Sequence, residues 1–131
     1  MTSRASNAVA LDVSAVSLSG FCLVHCLALP LAAAFLPAAG ALAEAEWLHR
    51  AFVIAALPIS LAAMARSRNM RGAAGFMLAA GVGLALLIAG AFVEALHDFE
   101  TPLTVAGALL LASAHLWRWR EHVASLGRGP D

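Results

Sequence analysis

Long runs free of charged residues alternate with short polar stretches four times along this chain. The first run extends from Val13 to Ala43 without an Asp, Glu, Lys or Arg, well beyond the ~20 residues a helix needs to cross a bilayer. Ahead of it, residues 1–12 carry Ser3, Arg4, Ser6 and Asp12 and read as a short tail. An acidic, aromatic hinge with Glu44, Glu46, Trp47 and His49 leads into a second run of about 48–65, which is uncharged after Arg50 and contains Pro58. A basic turn with Arg66, Arg68 and Arg71 precedes a third run that is uncharged from Gly72 to Val93. A second acidic loop follows, with Glu94, His97, Asp98 and Glu100. Thr101 and Pro102 then suit an N-cap and first helical position, and the last run ends at Trp117-Arg-Trp-Arg120. The pattern predicts an all-α fold, a four-transmembrane-helix up-down-up-down bundle, because loops this short keep neighbouring helices antiparallel. Its spans are expected at about 14–40, 48–65, 72–96 and 101–119. They make one membrane domain over 13–120, with a tail at 1–12 and a stub at 121–131.

Composition agrees with a bilayer as solvent. Of 131 residues, 62% are apolar and 12% charged, about half the charge of a soluble domain, and the mean hydropathy is +0.85. Lysine is absent and the formal net charge is +0, which excludes the basic surface that nucleic acid needs. A cleaved signal peptide is disfavoured, since the first run is longer than an h-region of ~7–15 residues and carries Cys, His and Pro.

Orientation follows from arginine. Arg66, Arg68 and Arg71 share a side with the tail residues Arg118, Arg120 and Arg128 and with Arg4, which places both termini in the cytoplasm by the positive-inside rule. Packing follows from small residues that admit close helix approach. Ala79, Gly83, Gly90 and Glu94 fall on one stripe of the third span, and Thr104, Ala108, Ala112 and His115 on one stripe of the fourth. Four short spans enclose a narrow interior, so a homo-oligomer is a further expectation.

Candidate chemistry concentrates in the first span. Cys22 and Cys26 are four residues apart and share a helical face, with His25 flanking the same stripe. Pro30 has no N–H for the carbonyl of Cys26, so a kink is expected there. Polar groups at membrane depth are costly and suggest function, although cysteine also packs as a small hydrophobe. Counting from the expected span limits, His115 comes to the depth of Cys22, His25 and Cys26, in the cytoplasmic half. Two thiolates and two imidazoles are a soft-metal donor set for Hg, Cu or Zn. A second set, Glu46, His49, Glu94, His97 and Glu100, is expected at the outer mouth, where carboxylates attract cations. Two other readings compete. His25 and His115 would clamp a haem in a four-helix bundle, or the Cys and His residues would only pack, in a structural subunit. No catalytic constellation or nucleotide-binding loop is present, so an enzyme is not expected.

The order Cys22-Leu-Val-His-Cys26 before Pro30, then Glu46-Trp-Leu-His49, Pro58, His97 with Glu100, Thr104, Gly107 and Ala114-His115 before Trp119-Arg120 resembles the MerC family of mercury-resistance membrane proteins. The resemblance covers roughly Ser17 to Arg120. It implies a four-span protein of the bacterial inner membrane whose mercuric members carry Hg(II) inward on cysteine pairs, with Cys22 and Cys26 as the intramembrane pair. Mercuric members space that pair as Cys-x-x-Cys, whereas three residues intervene here. They also carry a second pair near the C-terminus, and this chain has no cysteine beyond Cys26. The closer likeness is to the broader group with the Cys-x-x-His-Cys pattern.

Overall fold

The computed structural model describes residues 2–28, 31–32, 34–36, 46–68 and 72–127. Four long helices account for nearly all of them. Helix α1 covers Thr2–Leu23 and runs into a π-helical turn, Val24–Ala28. Helix α2 is Glu46–Ser67 and passes through Pro58 without ending. Helix α3 is Ala73–Phe92, followed by a 3-10 turn over Glu94–Phe99, and α4 is Glu100–Gly127. There is no strand among the described residues. All four helices are long and apolar enough to cross a membrane. Pro30 and its expected kink lie outside the described residues.

Helix α1 starts inside the segment expected as a tail. Ala5, Ala8, Ala10 and Leu11 are good helix formers, and no Pro or Gly interrupts before Gly20. The membrane-length stretch accordingly covers Ser6–Ala28 rather than beginning at residue 14. Cys22, His25 and Cys26 therefore lie about two turns further from the start of their span than a start at residue 14 would place them.

Contacts between side chains order the helices. Near the acidic loops, Cys26 of α1 meets His49 of α2 and Thr104 of α4, and His49 meets Glu100. At the basic end, Asp12 of α1 meets His115 and Arg118 of α4, and Arg118 reaches Ala63 and Ser67 of α2. Arg50 at the start of α2 donates to the carbonyl of Ala91 at the end of α3. Each helix thus runs opposite to the ones before and after it in the chain.

The surface is inverted relative to a soluble bundle. Phe21, Leu31, Phe35, Trp47, Ile54 and Leu78 point outward at more than 60% exposure, while Asp12, Ser60, Ser67 and His115 are fully buried. An apolar exterior suits lipid, and buried polar groups then need internal partners because lipid offers none.

Helices α3 and α4 approach most closely at glycine. A Cβ on Gly107 would stand 2.8 Å from the Gly83 carbonyl oxygen and 3.1 Å from the Leu87 nitrogen, both backbone atoms. Gly107→Ala should therefore push the two helices apart and destabilise the protein by about 1–3 kcal/mol. Gly81→Ala, where a Cβ meets nothing within 4 Å, should be neutral or stabilising by up to ~1 kcal/mol. Thermal unfolding of the two variants in detergent micelles checks the contrast. Gly72 adopts φ 76° at the head of α3, and a side chain there would run into the Trp117 ring.

Candidate metal centre

The π turn explains how neighbours in sequence share one site. An α-helix rotates successive residues apart by about 100°, whereas a π turn is wider and aims more of its residues at one side. His25 and Cys26 are both buried, at 3% and 5% exposure. Such single π turns occur often at functional sites.

Three donor atoms, one each from His25, Cys26 and His49, lie within 4.8 Å of one another. The Cys26 thiol is 3.1 Å from His49 Nε2, and His25 Nδ1 is 3.2 Å from the same nitrogen. Cys22 adds its sulfur 3.9 Å from that of Cys26. Zn–S and Zn–N bonds of about 2.3 and 2.0 Å set tetrahedral edges of roughly 3.3–3.8 Å, close to these separations. His25, Cys26 and His49 are therefore gathered as candidate ligands for a single ion, and Cys22 meets the group through Cys26. The T-shaped contact between the two imidazoles, centroids 4.6 Å apart, and the packing of Phe52 against His25 fix the rings.

Glu100 sets the role of His49. Its Oε1 is 2.7 Å from His49 Nδ1, so Nδ1 carries the hydrogen and donates it to the carboxylate. That leaves the Nε2 lone pair facing the thiols. A carboxylate behind an imidazole fixes its tautomer and raises its basicity toward a metal. Thr104 stands on the other side of Cys26 at 3.6 Å. Its hydroxyl also donates to the carbonyls of Glu100 and Thr101 within α4. Replacing Glu100 with Gln should weaken metal affinity about 10–100-fold without removing a ligand, as read by competition against a chelator of known affinity.

A cavity of about 90 Å³ opens beside this centre, lined by Arg50, Glu94, His97 and Glu100 together with the end of α3 from Gly90 to Val93. Glu100 thus belongs both to the cavity wall and to His49. Glu94 and His97 are exposed there, as is Asp98 nearby. Glu44 and the side chain of Glu46 lie outside the described residues.

His115 has other partners. Its Nδ1 is 2.8 Å from Asp12 Oδ1 and its Nε2 is 3.4 Å from the Ser60 hydroxyl. Roughly 16 Å of α4 separates it from Thr104, at ~1.5 Å per residue. The expectation that His115 shares a depth with Cys22, His25 and Cys26 is corrected accordingly. That count assumed a first span starting near residue 14, whereas α1 starts at Thr2. For the same reason His25 and His115 do not face each other across a space for haem.

Two groups escaped the sequence reading. His49 was assigned to the outer mouth rather than to the cysteines, although it opens the span that follows the cysteine helix. Asp12 was read as part of a tail, yet it is fully buried. The signal for its partners was present in α4, where His115, Arg118 and His122 recur at helical spacing.

A family model described as MerC mercury resistance protein matches residues 12–120, most of the chain. No curated protein and no solved structure matches it.

Proposed function

Because the chain belongs to the MerC mercury resistance family, we propose that this multi-pass membrane protein binds a soft metal ion of the mercuric type at its acidic end and carries it inward. The observation that carries this reading is the convergence of Cys26, His25 and His49 with Cys22 alongside. Sulfur and imidazole together select soft and borderline ions over Mg or Ca. The ion is cargo, so it must also leave. A site with two thiols and two imidazoles permits that, because ligands can be exchanged one at a time.

The geometry supports one order of events. Glu94, His97 and Glu100 line the cavity and draw in a cation, which then passes to the thiols beyond Glu100. Each thiol loses its proton as sulfur takes the ion. Cys26 has an acceptor ready in His49 Nε2, and Glu100 stabilises the positive charge that would appear on that ring. By the positive-inside rule, the exposed Arg66, Arg68 and Arg120 face the cytoplasm of a bacterial inner membrane, and the acidic end faces out.

Uptake of Hg(II) into right-side-out membrane vesicles tests the reading. The protein should raise accumulation above that of vesicles without it, and binding should weaken as pH falls because protons compete for both sulfurs. If the purified protein binds the ion tightly but vesicles accumulate none, it is a binding protein and the transport reading fails.

A further inference from the structure

The metal centre uses none of the charge at the opposite end of the bundle. There Asp12 is 0% exposed, His115 0% and Arg118 2%. Asp12 Oδ1 accepts from His115 Nδ1 at 2.8 Å and from Arg118 Nε at 2.7 Å. The guanidinium also donates to the Ala63 carbonyl and the Ser67 hydroxyl, and lies 4.9 Å from the Phe76 ring centroid. One oxygen of Asp12 is thus heavily used and the other is not. Asp12 Oδ2 and His122 Nε2 are both buried without a hydrogen-bond partner among the described residues, and they face each other across 3.9 Å. The side chain of His122 is 21% exposed, so its ring leads from the surface to the carboxylate.

Buried ionic groups cost free energy in a membrane bundle, and rows of carboxylate and imidazole at that depth characterise proton-handling sites. Around the Asp12 cluster, among the described residues, α2 sets the hydroxyls of Ser60 and Ser67 against His115 and Arg118, and α3 sets Phe76 against both; Arg66 of α2 lines a pocket with Leu11 and Ser14 of α1. Helix α4 contributes His115, Arg118 and His122, with Glu121 nearby on the wall of a small pocket that includes Arg118. Asp12 and Arg118 cancel in charge. With both imidazoles neutral the cluster is neutral, and one added proton makes it +1.

We infer that His122, Asp12 and His115 form a proton-binding site at the basic end, and that a proton and the metal ion occupy that end of the bundle in exchange; the exchange rests on the transport reading above. The proton comes from water at the basic end and adds to the lone pair of His122 Nε2. The new N–H then donates to Asp12 Oδ2, which joins the two unpartnered atoms. His115 donates to the other oxygen of the same carboxylate, so Asp12 then accepts from both rings. A cluster at +1 repels a cation approaching through the bundle, whereas the neutral cluster does not. Ion and proton therefore exclude each other, and a proton gradient across the membrane can do work on the ion.

Two measurements test this on the full chain. The first is metal-free: 15N spectra of the imidazoles in nanodiscs, followed against pH. In the acidified parent, His122 Nε2 should carry an N–H bonded to a carboxylate, and the double change Asp12→Asn with Arg118→Gln should remove that signature. A His122 Nε2 that gains no such N–H overturns the proton site, whatever vesicles do. The second is Hg(II) uptake into right-side-out vesicles at several internal pH values. The parent should depend on internal pH, and His122→Gln should lose that dependence while binding Hg(II) at the cysteines as before. Uptake with the same internal-pH dependence in both proteins overturns the exchange. A carboxylate-bonded His122 N–H in a protein that accumulates no Hg(II) supports the proton site and removes the transport reading instead.

Discussion

Replacing Cys26 with Ser is expected to abolish tight binding of a soft ion. Cys26 joins the second sulfur to the imidazole: its sulfur lies 3.9 Å from Cys22, 3.1 Å from His49 and 3.6 Å from Thr104. A hydroxyl is a hard, poorly ionised donor and does not replace thiolate toward Hg(II) or Cu(I). Loss of a supporting group behind a ligand costs about 10–100-fold in affinity, and loss of the sulfur itself should exceed the upper end of that range. Cys22→Ser should also remove most binding, since a soft ion gains most from a pair of sulfurs. His115→Ala should leave binding largely intact, because that ring is engaged with Asp12 and Ser60. Titration with Hg(II), followed by the absorbance of the metal–thiolate bond, separates these cases. If the double Cys→Ser protein binds Hg(II) as tightly as the parent, the centre described here is not the binding site.

The largest effect on stability is expected at Arg118. Its guanidinium bonds to α1 through Asp12, to α2 through Ala63 and Ser67, and lies against Phe76 of α3. One side chain of α4 therefore ties all three other helices. Arg118→Ala leaves the Asp12 carboxylate buried without its counter-charge, a change that costs about 3–5 kcal/mol. Arg118→Lys should recover only part of this, since an ammonium cannot reproduce the planar fork of donors. The double change Asp12→Asn with Arg118→Gln removes both charges together and should cost far less than Arg118→Ala, because no uncompensated ion remains. Unfolding in mixed micelles measures all three. Equal losses for the single Ala variant and the double variant would mean that the pair acts through shape rather than charge.

How much of this was legible in the chain depends on whether a property is local or relational. Four spans follow from runs that lack charge, a one-dimensional property that the bilayer enforces, because only helices satisfy their own backbone there. The basic and acidic ends follow equally from the positions of Arg66, Arg68, Glu94 and Glu100. The shared face of Cys22, His25 and Cys26 follows from helical spacing. The close approach at Gly83 and Gly90 was marked by the stripe of small residues in the third span.

Depth and partnership were decided only by the tertiary structure. The start of α1 sets the level of every group on it, and hydropathy alone placed that start about ten residues late. A lone Asp12 beside an apolar run looks like an interfacial residue until Arg118 and His115, more than a hundred residues away in sequence, supply its partners. Once Asp12 is inside the bundle, Cys26 moves to the acidic end, and His49 becomes its neighbour in place of His115. The π turn that aims both His25 and Cys26 inward has no signature in residue type. Residue chemistry along the chain determined that a soft-metal donor set would be present in a membrane bundle. Which imidazole completes it depended on helix register, and register comes from pairing buried charges between distant segments.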